Sequence, residues 1–151
     1  MKNQKGFTLI ELLVVIGILA VLLAITLIAI NPARQFAQAN NTKRRSDVNA
    51  ILNAVNQYMA DNRGNLPAGI TETEAPISGA VGGANICAAI VPLYVAALPV
   101  DPQTNNGAAV TEAECATAYD TGYTIVKNVP NNRITVTATT IELSDPVAVT
   151  R

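Results

Sequence analysis

The hydrophobic and polar positions divide this chain into an apolar N-terminal segment and a longer remainder of mixed character. The segment from Phe7 to Ile30 reads FTLIELLVVIGILAVLLAITLIAI and carries a single charge, at Glu11. As an α-helix it would be about 36 Å long, whereas the hydrocarbon core of a bilayer is about 30 Å thick. The pattern therefore predicts a transmembrane helix over residues 7–31.

A second, amphipathic helical pattern follows the apolar segment. Its apolar residues recur at helical spacing on one stripe, at Val48, Ile51, Leu52, Val55, Tyr58 and Met59. Gly64 and Pro67 are typical of residues that follow the end of a helix. The sequence therefore predicts an amphipathic half of the helix over residues 32–63, with its apolar stripe packed on a globular domain.

Asn31 and Pro32 mark the junction between the two patterns. A proline removes one helical hydrogen bond and clashes with the carbonyl four residues earlier, which predicts a kink at Pro32. The alternative is that one helix ends here and a second begins with Pro32 at its first position. The basic residues Lys43, Arg44 and Arg45 beyond the junction fit either a solvated helix face or a contact with another chain.

The C-terminal third has the composition and alternation of β-strands. Two strands are predicted, Gly122–Asn128 and Arg133–Leu143, with a turn at residues 129–132 between them. The apolar phase of the second strand slips by one residue near Thr139-Thr140, which predicts a bulge or a strand break. Adjacent antiparallel strands laid across the amphipathic helix indicate the α+β class, with a globular head over residues 64–151.

The middle of the chain is less regular. Glycine and proline residues punctuate residues 66–83 and 98–107, which are predicted to be loops. Residues 86–95 form a short apolar stretch interrupted by Pro92, and this stretch fits either a helix or a strand.

Composition narrows the classes of function. The chain has no histidine and no tryptophan, and only 14% of its residues are charged, against about 25% in typical domains. The absence of histidine excludes Ser-His-Asp triads and imidazole metal sites. Two cysteines cannot form a four-thiolate zinc site. The net charge of −1 shows no excess of basic residues that would bind nucleic acid. Because no catalytic constellation is present, we expect neither enzymatic activity nor a cofactor.

Glu11 separates the interpretations of the N-terminal segment. A cleavable secretory signal has an apolar run of about 7–15 residues closed by a small-x-small site, and this segment is longer and lacks such a site. A plain membrane anchor fits the length, but an unpaired carboxylate in lipid costs several kcal/mol. No lysine or arginine lies between Lys5 and Arg34. We therefore expect the partner of Glu11 on another chain.

The residues Gly6-Phe7-Thr8-Leu9-Ile10-Glu11, followed by a long apolar helix, resemble the class III signal of type IV pilins and type II secretion pseudopilins. The resemblance implies a pilin fold, with one long N-terminal α-helix packed on a small C-terminal antiparallel β-sheet head. It also implies a leader peptide over residues 1–6, cleavage after Gly6 by a prepilin peptidase, and N-methylation of Phe7.

In this family the glutamate is understood to pair with the N-terminal amine of a neighbouring subunit, so Glu11 would set the register of a helical homo-oligomer. Two unpaired charges in a low-dielectric core are costly, and bringing them together relieves both. Lys2 and Lys5 favour a cytoplasmic N-terminus, but residues 43–45 add charge on the other side, so the resemblance rather than charge decides the orientation. An assembly ATPase and a platform membrane protein are the further partners implied.

Cys87 and Cys115 are the only cysteines. An extracytoplasmic location permits a disulfide between them, which would be worth about 3–4 kcal/mol on the chain-entropy model. The alternative is two free thiols, with Cys87 buried in an apolar run.

The stretch Leu98-Pro99-Val100-Asp101-Pro102 is similar to the LPxDP loop of major type II pseudopilins, in which calcium holds a nearby loop. The match stops where that family continues with Trp-Gly and this chain has Gln103-Thr104. Asp101 and Asp120 are weak calcium candidates, and an Asp-Pro turn without metal is the favoured interpretation.

The sequence thus predicts a structural subunit of an extracellular filament, stored in the cytoplasmic membrane as a precursor. Two alternatives remain open. One is a pseudopilin of a type II secretion or DNA-uptake system, and the other is a membrane-anchored binding module that does not polymerise.

Overall fold

The computed structural model describes residues 6–151. Residues 1–5, which include Lys2, Lys5 and most of the expected leader, lie outside the described residues. The chain separates into an N-terminal unit that ends at Phe36 and a C-terminal unit, Ala37–Arg151. The two units are described separately below.

The N-terminal unit is built on helix α1, Leu9–Ile30. Thr8 caps the start of α1, and Asn31 ends it in a left-handed conformation with φ of 47°. A second helix, α2, spans Pro32–Asp61, and the backbone N–H of Arg34 donates to the Asn31 carbonyl oxygen. The chain thus has two helices that meet at Asn31, and Pro32 lies at the first position of α2, where its missing N–H costs no hydrogen bond.

The C-terminal unit contains a four-stranded antiparallel sheet in the order β1-β2-β3-β4. The strands are β1 Ala75–Ser78, β2 Asp120–Asn128, β3 Arg133–Ala138 and β4 Ala148–Thr150. A short helix, α3, spans Cys87–Ile90, and 3₁₀ turns cover Asn105–Gly107 and Glu112–Glu114. The α+β class predicted from the sequence is confirmed.

The core of this unit lies between the apolar stripe of α2 and one face of the sheet. The stripe residues that are fully buried are Val48, Ile51, Leu52 and Val55. Alternate residues of the two longest strands face them, namely Tyr123, Ile125, Ile134 and Val136. A helix with period 3.6 and strands with period 2 therefore bury complementary faces, as their sequence patterns predict.

β3 ends at Ala138, so the predicted strand Arg133–Leu143 breaks beside Thr139-Thr140, where the slip of the apolar phase predicts a bulge or a strand break. Two other strands differ from the sequence prediction. β1 lies inside the stretch predicted to be a loop. β4 was not predicted, and it consists of only three residues paired with β3 near the C-terminus.

Candidate functional site

The start of α1 places the carboxylate of Glu11 against Thr8. The Thr8 backbone N–H and its hydroxyl each donate to Glu11 Oε2 at 2.8 Å, and the Glu11 N–H donates to Thr8 Oγ1 at 3.3 Å. This reciprocal capping box satisfies free N–H groups at the helix start. The only charge of the apolar segment is therefore held at the first turn of α1, against Thr8.

Gly6 and Phe7 precede this cap outside any helix or strand, and both are exposed. Within the described residues, no atom lies within 4 Å of the position that a Cβ at Gly6 would take. Among residues 6–151, packing therefore sets no steric demand for glycine at position 6.

α1 has no buried residue, and its side chains are apolar around the whole circumference. By length and composition it is the one helix in the described residues that could cross a membrane. A helix that is apolar on every side is stable only where lipid or other apolar helices surround it.

The C-terminal unit contains a buried ionic cluster that the sequence analysis missed. The guanidinium of Arg44 donates through Nε to Asp101 Oδ2 at 2.6 Å and through Nη2 to Asp101 Oδ1 at 3.2 Å. Its Nη1 donates to Asn41 Oδ1 at 2.9 Å and to the Glu142 carboxylate. Both Arg44 and Asp101 are fully buried. The hydrogen bond to Asp101 raises the pKa of Arg44 above its already high ordinary value.

This cluster joins three segments that are distant in sequence. Arg44 comes from α2, Asp101 from the loop after Leu98, and Glu142 from the loop between β3 and β4. The backbone N–H of Gln103 also donates to Asp101 Oδ1 at 2.8 Å, and its side-chain amide donates to Glu142 Oε1 at 2.8 Å. The arrangement anchors both loops to the helix.

Arg44 does not lie on a solvated helix face, and this corrects one of the two interpretations offered above. Its neighbour Arg45 does lie at the surface, where it pairs with Asp145. The sequence contained a signal for the difference. Arg44 and Asn41 lie four and seven residues before Val48, so they extend the apolar stripe toward the helix start. A polar residue on an apolar stripe indicates a buried, paired group.

The two weak calcium candidates have separate partners. Asp101 is occupied by Arg44, and Asp120 Oδ1 accepts the Gly122 N–H at 2.9 Å. Among residues 6–151, no group of three or more His, Cys, Asp or Glu side chains is placed to hold a metal ion. The structure gives the Asp101-Pro102 loop a guanidinium as its cationic partner.

Cys87 and Cys115 are joined in a disulfide, with their Cα atoms 5.3 Å apart. Cys87 begins α3, and Cys115 follows the 3₁₀ turn at Glu112–Glu114. Both sulfur-bearing residues belong to the core of the C-terminal unit. The disulfide closes a loop of the chain, and Asp101 lies within this loop.

A second buried contact joins α2 to the sheet. The hydroxyl of Tyr123 donates to Asp47 Oδ2 at 2.9 Å, and the Tyr123 side chain is fully buried. Burial, followed by the nearby charge of Asp47, raises the pKa of Tyr123 well above its ordinary value of about 10. Burial also raises the pKa of Asp47.

We expect alkaline pH to destabilise this unit through Tyr123. In the unfolded chain the phenol ionises near pH 10, whereas in the folded chain it stays protonated, so the stabilisation is complete below pH 10 and is lost above it. The expected loss is about 1.4 kcal/mol per pH unit. Urea unfolding between pH 8 and pH 11.5 measures this slope, and Tyr123→Phe should make it shallower. Equal slopes for the two proteins would contradict this assignment.

Residues 1–27 match a family described as a prokaryotic N-terminal methylation motif. The chain is also similar to the type IV wide pilus major component PilA4 of Thermus thermophilus. The two are 42% identical over 62 residues, which are 41% of this chain and 46% of that protein. The match thus spans about half the length of that curated relative. No solved structure matches the chain.

Proposed function

Because the N-terminal motif and the curated relative support the type IV pilin family, we propose that this chain is a structural subunit of an extracellular type IV pilus-like filament. The observation that carries the proposal is an apolar helix, exposed on all sides, with one carboxylate at its start. Lipid covers this helix in the membrane-bound precursor, and the helices of neighbouring copies cover it in the filament.

In this proposal, residues 1–6 are a leader, residues 7–31 form the membrane and filament-core helix, residues 32–63 form its amphipathic half, and residues 64–151 form the head. A prepilin peptidase cuts after Gly6 and leaves Phe7 as the N-terminal residue, which is then N-methylated. The absence of any steric demand for glycine within the described chain supports an external reason for Gly6.

Cleavage creates an ammonium group at Phe7, one turn from Glu11. Within residues 6–151, the Glu11 carboxylate accepts hydrogen bonds from the neutral backbone N–H and hydroxyl of Thr8. A neighbouring subunit that brings its ammonium to Glu11 replaces a neutral partner with a charged one, and such hydrogen bonds are shorter and about twice as strong. The pair sets the register of each subunit more than it adds net stability.

The further partners in this proposal are an assembly ATPase and a platform membrane protein that extract the subunit from the membrane. The role is structural, without a catalytic site, a cofactor or a nucleic-acid partner. The similarity to a pilus major component favours a pilus over the pseudopilus of a secretion or DNA-uptake system.

The test is to shear surface material from native cells, image it by electron microscopy and sequence the N-terminus of the chain it contains. Filaments built from a chain that begins at a methylated Phe7 are expected. A chain that begins at Phe7 but stays in the membrane fraction would favour the pseudopilin. A chain that still begins at Met1 would overturn the proposal and leave a membrane-anchored module.

Glu11→Ala is expected to lower the yield of filament about 100-fold while leaving membrane insertion intact. It leaves the ammonium of the adjoining subunit unpaired in an apolar core, at a cost of about 3 kcal/mol, which corresponds to about a 100-fold loss of filament. Quantitative blotting of sheared and membrane fractions measures both quantities.

Thr26→Ala is the matched control for Glu11→Ala. Thr26 is also a polar residue of α1, but its hydroxyl donates to the Leu23 carbonyl of its own helix at 2.9 Å. Its removal should leave the filament yield unchanged. If Glu11→Ala assembles as well as Thr26→Ala does, Glu11 has no registering role.

A further inference from the structure

The C-terminal unit carries opposite charges at the two ends of its longest strand. β2 runs from Asp120 to Asn128, so its ends are about 26 Å apart at about 3.3 Å per residue. Acidic residues lie where the strand begins, and basic residues lie where it ends. The acidic end is defined by Glu112, Glu114 and Asp120, and the basic end by Arg63, Lys127 and Arg133.

Local structure groups the three carboxylates of the acidic end. Glu114 and Asp120 line one cavity of about 270 Å³, and Glu112 begins the 3₁₀ turn that Glu114 ends. The Glu114 carboxylate accepts the N–H and the hydroxyl of Thr111, each at 2.8 Å, and these hydrogen bonds lower the pKa of Glu114. Asp120 Oδ1 accepts the Gly122 N–H at 2.9 Å. Within residues 6–151, none of the three carboxylates forms an ion pair.

The basic end surrounds a second cavity, of about 330 Å³. Lys127 lines this cavity together with Gly64, which follows Arg63 just beyond the end of α2. Arg133 begins β3 and is the cross-strand partner of Asn128, so it lies at the same end of the sheet. Both arginines are exposed. In the described part of the chain, none of the three basic residues has a carboxylate within ion-pair distance.

Each end also contains charge of the other sign, but less of it. Lys43 lies near the acidic end, where its ammonium donates to the carbonyl oxygens of Val100 and Gly107 at 3.3 and 3.5 Å. Asp61 precedes Arg63 by two residues, and Glu72 follows the residue whose carbonyl accepts the Lys127 N–H. The acidic end therefore keeps an excess of negative charge, and the basic end keeps an excess of positive charge.

Opposite charges at opposite ends of one unit favour contacts that join identical copies end to end. A contact between two different surfaces of identical chains repeats from copy to copy, and it generates an open helix when the rotation does not close. A symmetric pair would instead place like charges together, which costs free energy. The charge distribution thus fits the type of contact that a filament requires.

We propose that the basic end of one copy docks on the acidic end of a second copy. The proposal rests on the proposed function, because polymerisation is what brings successive C-terminal units together. An anionic glycan or lipid surface is the less suitable occupant, since it would use the basic end alone and leave the acidic end without a role. The contact supplies specificity and register more than affinity, because exposed charge pairs each contribute little net stability.

Charge reversal at each end tests this contact. The variant Arg63→Glu, Arg133→Glu makes the basic end acidic, and the variant Glu112→Arg, Asp120→Arg makes the acidic end basic. All four side chains are exposed, so the melting temperature of either variant in detergent should stay within a few degrees of the wild type. Each variant alone should give about tenfold less sheared filament, because every contact then brings like charges together.

Co-expression of the two variants, in cells that lack the wild-type chain, separates the contact from a structural role. Copies with two acidic ends then alternate with copies that have two basic ends, so each contact again joins opposite charges. The filament yield should return to near the wild-type value, and mass spectrometry of the sheared material should find both chains. A defect in folding or in membrane insertion cannot be repaired in this way.

Glu74→Arg is the matched control for charge reversal. Glu74 is an exposed carboxylate that accepts the hydroxyl of Thr124, midway along β2 and away from both ends. Its reversal should leave the filament yield unchanged. A loss as large as that of the end variants would show that net charge, rather than its position, controls assembly, and would overturn the proposal.

The remaining outcomes separate this contact from the filament itself. Wild-type yield from either end variant, or no recovery on co-expression, would overturn the contact and leave the filament standing. A loss confined to the basic-end variant would also overturn it, in favour of an anionic partner other than this chain. If the wild-type chain forms no filament, the proposed function and the contact both fail.

Discussion

Replacing Arg44 with alanine is expected to lower the free energy of unfolding of the C-terminal unit by about 3–5 kcal/mol. The substitution leaves the fully buried carboxylate of Asp101 without its guanidinium, and an uncompensated buried charge is strongly destabilising. It also releases Glu142 and so frees two loops from α2. Because domains are stable by only about 5–15 kcal/mol, this loss is a large share of the total.

The measurement is denaturant unfolding of the full chain in detergent, followed by the near-ultraviolet circular dichroism of its tyrosines. Tyr119 and Tyr123 are buried in this unit, so their signal reports its packing. A shift in the unfolding midpoint without a change in slope indicates lost stability rather than a changed unfolded state.

Arg45→Ala is the matched control, since it removes the same group one residue later. The side chains of Arg45 and Asp145 are 55% and 47% exposed, and exposed pairs contribute about 0–1 kcal/mol. The expected loss is therefore several times smaller than for Arg44. Equal losses from the two variants would contradict the assignment of Arg44 to a buried cluster.

The double variant Arg44→Met, Asp101→Leu distinguishes charge from packing. When both partners of a buried pair are replaced by apolar residues of similar volume, the change is often neutral or stabilising. The double variant should therefore be more stable than Arg44→Ala alone. If it is equally unstable, the aliphatic stem of Arg44 and the shape of the site matter more than the charges.

The sequence predicted helices α1 and α2 because each follows a single pattern, whereas the stretch that contains α3 fitted either a helix or a strand. The apolar stripe through Val48 and Val55 predicts α2, and the uninterrupted apolar run predicts α1. It did not predict β1 and β4, since four and three residues are too few to show an alternation. Both are edge strands whose pairing depends on the long central strands.

The buried cluster and the strained turn were missed for a different reason. Arg44, Asp101 and Glu142 are brought together by tertiary structure, and their spacing in the sequence has no period. Leu143 and Ser144 occupy a turn with φ of 56° and 54°, and this pair lacks the glycine, asparagine or aspartate that usually accepts positive φ. Sequence rules failed here where ionic contacts override local preference, which is expected at strained or functional positions.

For the motif Gly6–Glu11, the family resemblance contributes more than physical reasoning or the structure does. Physical reasoning from the sequence shows only that Glu11 needs a partner outside its own helix. The structure adds that Thr8 holds this carboxylate in the single chain. The processing and the partner are implied only by the resemblance over Gly6–Glu11, because neither an enzyme's recognition site nor a second copy can be inferred from the packing of one chain.

Replacing Cys87 and Cys115 together with alanine is expected to lower the free energy of unfolding by about 3–4 kcal/mol. The bridge spans a sequence separation of 28 residues, and cross-linking a loop of this length removes conformational entropy from the unfolded chain. The same denaturant titration measures the loss. The wild type treated with a reductant should show a comparable loss, because reduction breaks the bond while keeping both sulfur atoms in the core.

The double-alanine variant should not respond to the reductant, and this insensitivity is the control that assigns the effect to this bond. The closed loop contains Asp101, which Arg44 holds from the opposite side, so the bridge and the ionic cluster restrain the same segment. Groups that share a segment in this way are expected to couple by about 0.5–3 kcal/mol in a double-mutant cycle. If losing the disulfide costs less than about 1 kcal/mol, the contacts with Arg44 already order this segment, and the bridge is redundant for the stability of the unit.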